Sequence, residues 1–151
     1  MLMRIIAITG TRTTDHRSLE EYANLFGEYL GPFAGDAHFY IGGAKGIDSL
    51  SLVWLAENSH AQVTVVTPGT LDQQPPEARQ AIVRCRDRIG EVIELRAAEL
   101  TTAAYHARNR WMVDRAHMAI GFPHHSEPSS GTWQTLNYSA DMRKPRLIVP
   151  V

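Results

Sequence analysis

The stretch "YIGGAKGIDSL", residues 40–50, runs from an apolar segment through Gly42, Gly43 and Gly46 into a helical pattern, with Lys45 and Asp48 beside the glycines. A strand that ends in bare glycines and passes straight into a helix is a βα junction, whose backbone N–H groups and helix amino end can accept phosphate. The glycines have a second reading: they turn the chain sharply and let a buried helix approach the sheet. Both readings stay open at this point. Two familiar fingerprints fail. A Walker loop carries its lysine after the last glycine, whereas Lys45 precedes Gly46; the dinucleotide pattern places glycines first, third and sixth, whereas these stand first, second and fifth.

Outward from this junction, β-branched apolar runs occur at residues 4–9, 38–42, 62–67, 91–95, 117–122 and 146–151. They lack polar alternation, as expected of strands covered on both faces in a parallel sheet. Helical patterns lie between them. Ser18 and Glu21 form a capping box ahead of a stripe of Leu19, Tyr22, Ala23, Phe26, Tyr29 and Leu30, which Gly31 and Pro32 terminate. Residues 47–58 are apolar nearly all round, and 77–88, 103–115 and 132–142 supply three more helices. Alternating strands and helices predict an α/β Rossmann-like open parallel sheet with helices on both faces, formed by one domain over residues 1–151. The polar, Pro-rich segment 67–78 is long enough for a mobile loop.

Two further junctions resemble the first. Gly10, Thr11 and Arg12 follow the first strand, and Ser129, Ser130, Gly131 and Thr132 precede the last helix. Parallel strands bring all three junctions to one sheet edge, where Arg12 and Lys45 could add positive charge and Arg12 could grip a phosphate with two donors. This convergence favours a phosphate-bearing ligand. Asp48 falls in the first turn of its helix, where the helix dipole favours a carboxylate; beside a phosphate cradle it could instead hold ribose hydroxyls or activate water. Arg108 and Asn109 face the ligand edge if they lie near their helix start, and are otherwise a solvated pair. Tyr105, Trp111 and Met112 share helical spacing and are expected in the core.

Composition narrows the partners. With 15 basic and 16 acidic side chains the formal charge is −1, so no global basic field is available to grip nucleic acid. The interleaved Arg79, Arg84, Arg86 and Arg88 read as a solvated helix face, and the adjacent His124 and His125 as a polar loop. No metal or separate cofactor is expected. One cysteine, Cys85, excludes an internal disulfide and is expected to be half-buried; the short apolar start cannot span a membrane, and a cytoplasmic protein is expected.

Four motifs, "ITGTR" (8–12), "GGAKGIDSLS" (42–51), "YHARNRWMV" (105–113) and "SSGTWQT" (129–135), resemble in kind and order those of the SLOG superfamily. That superfamily gathers the Smf/DprA DNA-processing proteins, the Lonely Guy phosphoribohydrolases and small stand-alone nucleotide-binding proteins, and this chain looks closest to the last. The resemblance implies nucleotide or nucleic-acid phosphate binding through Gly10, Thr11, Arg12, Gly42, Gly43, Gly46, Asp48, Arg108, Asn109, Ser130, Gly131 and Thr132. Thr135 stands where the Lonely Guy enzymes carry a catalytic glutamate, and no flanking domain or basic groove of the DNA-processing kind is apparent. The leading expectation is therefore a protein that binds a nucleotide or nucleotide sugar. The alternatives are an N-glycosidase or phosphoribohydrolase in which Asp48 replaces the missing glutamate, and single-stranded DNA binding. A homodimer is expected because related domains pair through helices.

Overall fold

The computed structural model describes residues 3–125 and 130–151. Its strands are β1 (Arg4–Gly10), β2 (Ala37–Gly42), β3 (Gln62–Thr67), β4 (Ile89–Glu94), β5 (Met118–Phe122) and β6 (Arg146–Ile148). All pair in parallel in the order β4-β3-β2-β1-β5-β6. The helices are α1 (Leu19–Tyr29), α2 (Ile47–Asn58), α3 (Pro76–Arg84), α4 (Thr102–Arg115) and α5 (Gly131–Asp141). This is the Rossmann-like α/β architecture expected from the alternation of apolar runs.

Strand order decides where the helices go. The chain steps outward from β1 through β2 and β3 to β4, then crosses back to β5 and steps the other way to β6. Because such crossovers are right-handed, the reversal puts α1–α3 on one face and α4 and α5 on the other. The first face holds the main core, in which Ile6, Ile8, Phe39, Ile41, Val63 and Val65 meet Tyr22, Phe26, Leu30, Ile47 and Leu55. The second holds a much smaller cluster of Ala7, Val66, Met112 and Ala116. A crevice opens beside the carboxyl ends of β1 and β5, where the connections diverge.

Local chemistry sets several element ends. Ser18 caps α1 in a full capping box with Glu21, the Glu21 amide donating to Ser18 Oγ at 3.1 Å. Leu19, expected in the core stripe, is 73% exposed: it occupies the first helical position, one turn before α1 settles on the sheet. The last strand ends at Ile148 rather than 151, since Pro150 has no N–H to continue the ladder, although the amides of Val149 and Val151 still donate to Gly121 and Pro123. Helix α3 stops at Arg84, and Arg86–Arg88 form a separate 3-10 turn. Cys85 at this break is buried rather than half-buried. Segment 67–78 is tied down by a capping box between Thr70 and Gln73 and by the Leu71 amide, which donates to Glu94 Oε2 at 2.7 Å. No helix among the described residues is long and apolar enough to cross a membrane.

Candidate functional site

A cavity of about 480 Å³ occupies the crevice. Its walls come from the end of β1 and the following loop (Gly10, Thr11, Arg12), the start of α2 (Asp48), one face of α4 (Tyr105, Arg108, Asn109), and the start of α5 (Ser130, Gly131, Thr132). Nine of the candidate binding residues named from the sequence, all of these but Tyr105, thus meet in one place. Gly42, Gly43, Lys45 and Gly46 do not line it, and Lys45 points its charge to solvent. Ser129 lies outside the described residues.

The glycines of the second junction act through close approach. A Cβ on Gly42 would sit 2.6 Å from Arg108 Nη1 and 2.8 Å from Asp48 Oδ2, so the bare backbone lets both groups rest on the strand end. Gly46 has φ +78, a left-handed value that favours glycine, and a Cβ there would run into the Thr11 carbonyl and the Arg12 backbone. Gly43 faces Thr67 and Gln74. Two amides of this junction are already matched: Ala44 donates to Asp48 Oδ2 at 3.3 Å and Gly46 donates to Glu77 Oε2 at 3.0 Å. Two carboxylates of the chain therefore hold donors that a phosphate would otherwise use. At the first junction the Thr11 amide is likewise engaged, donating to Phe122, while the Thr11 carbonyl accepts from Ile47.

Donors toward the cavity come instead from α4 and α5. Arg108 is 3% exposed, and its Nε donates to Asn109 Oδ1 at 2.8 Å while Nη1 donates to the Val66 carbonyl at 3.2 Å. Those two acceptors leave the rest of its five N–H groups unassigned. No carboxylate forms an ion pair with it among the described residues. Burial draws the guanidinium's pKa downward, and the nearby Asp48 opposes that shift. Asn109, 8% exposed, orients the arginine. At the start of α5, Ser130 Oγ accepts from the Trp133 amide, and the amides of Gly131 and Thr132 have no intrahelical carbonyl. Arg12 is exposed at the mouth, its guanidinium 4.8 Å from the centre of the Tyr105 ring.

Among the described residues Asp48 is the only carboxylate in the lining, and it is 7% exposed. Burial pushes its pKa up to about 7, against the opposing pull of Arg108, the Ala44 amide and Arg12. The site thus combines a buried cation, a carboxyl poised near neutrality and a helix amino end. Such a set can hold an oxyanion and exchange a proton with it. Among the described residues no three His, Cys, Asp or Glu side chains gather in a metal-holding group. Thr135 is buried and donates its hydroxyl to the Gly131 carbonyl at 2.8 Å, so it serves the helix.

Four lining residues were not read as such from the sequence. Tyr105, expected in the core, borders the cavity with His106, while His124 and His125 enter from the loop after β5. The signal for Tyr105 lay in helical phase: it stands three and four residues before Arg108 and Asn109, on the same face. Of the aromatic and Met set on α4, only Met112 is fully buried; Trp111 is half-buried and stacks on Tyr40 with centroids 5.8 Å apart.

No protein-family model and no curated protein matches the chain. Solved structures do. The chain superimposes on DNA processing protein A from Streptococcus pneumoniae with a TM-score of 0.74 at 19% identity, covering 99% of this chain and 51% of that one. It also superimposes on DNA processing protein A from Helicobacter pylori, a structure described for its single-stranded DNA binding mode, with a TM-score of 0.71 at 20% identity, covering 98% of this chain and 66% of that one. The chain therefore spans about half the length of the first protein and less than two thirds of the second, and what it has in common with both is the Rossmann-like fold.

Proposed function

We propose that the chain binds a nucleotide or nucleotide derivative in the cavity at the carboxyl ends of β1 and β5, with its phosphate between Arg108, Arg12 and the first turn of α5. The observation that carries this reading is Arg108: a buried guanidinium with spare donors, no ion-pair partner among the described residues and a place in the cavity wall. Burying a charge without a partner is unfavourable, and an oxyanion in the cavity would compensate it. In this reading Asp48 and Asn109 lie beside the ribose or base, and the glycines of the second junction shape the floor without touching phosphate.

The size of the cavity, about 480 Å³, falls within the usual range for small-molecule sites. Single-stranded DNA is the second reading, supported by the likeness in fold to the Helicobacter pylori protein. The formal charge of −1 weighs against a long electrostatic groove, so DNA would have to enter this cavity by one nucleotide.

Titration calorimetry with nucleoside mono- and diphosphates, ADP-ribose and a short oligonucleotide tests both readings. The expected result is saturable binding of a small nucleotide, weakened by about 10- to 100-fold in Arg108→Met, the value of one lost charge-assisted contact. Binding of the oligonucleotide alone, with affinity falling steeply as salt rises, would transfer the site to the DNA reading. Incubation of the bound nucleotide followed by chromatography shows whether free base is released, as the N-glycosidase alternative requires.

A further inference from the structure

Asp48 poses a problem that the binding reading leaves open: a carboxylate lies in the wall of a cavity assigned to an anion. Its surroundings are sparse. The Ala44 amide donates to Oδ2 at 3.3 Å, a long contact, and no other hydrogen bond reaches the carboxyl among the described residues. An ionised carboxylate can accept about four hydrogen bonds. Arg108 lies close enough to share the floor over Gly42 yet makes no ion pair with it, its assigned bonds going to Asn109 and Val66. The group is thus buried, underbonded and part of the wall of the cavity assigned to the ligand.

Resting on the binding reading above, we infer that Asp48 takes up a proton when the anion binds, so that a neutral carboxylic acid faces the ligand beside Arg108 and the affinity of the site is governed by pH. As an acid, Asp48 keeps its acceptor for the Ala44 amide and gains an O–H that can donate to a ligand oxygen. As a carboxylate, it repels the ligand and draws on the charge of Arg108. The proton comes from solvent and is returned when the ligand leaves. The groups acting on Asp48 are Arg108 from α4 and Arg12 from the β1–α1 loop; His106 of α4 and His124 and His125 of the loop after β5 line the same cavity, and Glu77 of α3 is held at the Gly46 amide. Burial already holds the Asp48 carboxyl near pH 7 without ligand, and a bound anion drives it further toward the protonated form.

The test uses adenosine 5′-monophosphate, whose phosphate is fully ionised above about pH 7. Calorimetry at pH 8 in buffers of different ionisation enthalpy is expected to show uptake of about one proton per ligand bound, and the affinity of the wild-type chain to fall by up to about tenfold per pH unit above 7. Asp48→Asn, whose carboxamide can also donate to the ligand, is expected to show neither the uptake nor the slope. Wild-type binding that is flat with pH, or a slope that persists in Asp48→Asn, overturns the inference while leaving the binding reading intact. Failure of the nucleotide to bind at any pH overturns both.

Discussion

The two faces of the sheet are built differently. Under α1–α3 the strands present Ile6, Ile8, Phe39, Ile41, Val63 and Val65 to an apolar core with aromatic side chains at its centre; under α4 and α5 the apolar cluster shrinks to Ala7, Val66, Met112 and Ala116, and buried Arg108 and Asn109 take up the space beside it. One face is closed mainly by apolar packing. The other buries a cation and leaves a cavity, an arrangement that works against stability and needs a reason. The contrast teaches that the first face carries most of the fold, while the chemistry gathers at the crevice, where Arg108 and Asn109 of the second face meet Asp48 from the start of α2.

The largest effect is expected on the packed face. Phe26 is fully buried and meets Phe122 edge-to-face with centroids 5.3 Å apart, so Phe26→Ala should cost about 3–5 kcal/mol in urea unfolding, enough to unfold much of the chain. A cost under about 1 kcal/mol would break the division between the faces.

The cavity, where Asp48 of α2 reaches the crevice, should show the opposite sign. Folding raises the Asp48 pKa from its ordinary value to about 7, so the folded state holds the proton more tightly than the unfolded state. The associated stability is fully present in acid, below the unfolded pKa, and is lost as pH rises through about 7. Asp48→Asn removes a penalty that exists only when the carboxyl is charged, so it should stabilise the ligand-free protein at pH 8, by up to a few kcal/mol, and leave it little changed near pH 4. Thermal unfolding at the two pH values checks this; destabilisation at pH 8 would mean that the charged carboxylate is structural.

Gly42→Ala sharpens the comparison further. Its Cβ would push on the ends of Arg108 and Asp48, which can give way, so unfolding should show a loss of no more than about 1–3 kcal/mol while nucleotide binding disappears. Ser18→Ala, remote from the cavity, should cost about 1 kcal/mol through loss of the α1 cap and leave binding untouched.

Much of the fold was legible because β-branched runs and helix stripes are local signals. The capping box at Ser18 and the parallel sheet follow from them directly. Leu19 was misread since periodicity records phase and not where the helix first touches the sheet. The candidate site was legible in part: the first and last junctions line the cavity with Arg108, Asn109 and Asp48, while the glycines of the second junction stay outside it. The division of labour among its donors was not. Glu77 reaches the Gly46 amide from another helix, and nothing in the glycine pattern shows that this donor is already taken. Tyr105 was assigned to the core because an aromatic residue in helical phase reads the same whether it meets a sheet or a cavity.

The most direct test of the central claim is an amide and guanidinium NMR titration of the wild-type chain with adenosine 5′-monophosphate. Shifts confined to Arg12, Ala44, Gly131, Thr132 and the Arg108 Nε–H are expected, with the glycines at 42 and 43 moving less. Shifts elsewhere, or none while the sheet stays folded, would contradict the claim that Arg108 is buried here to hold an anion.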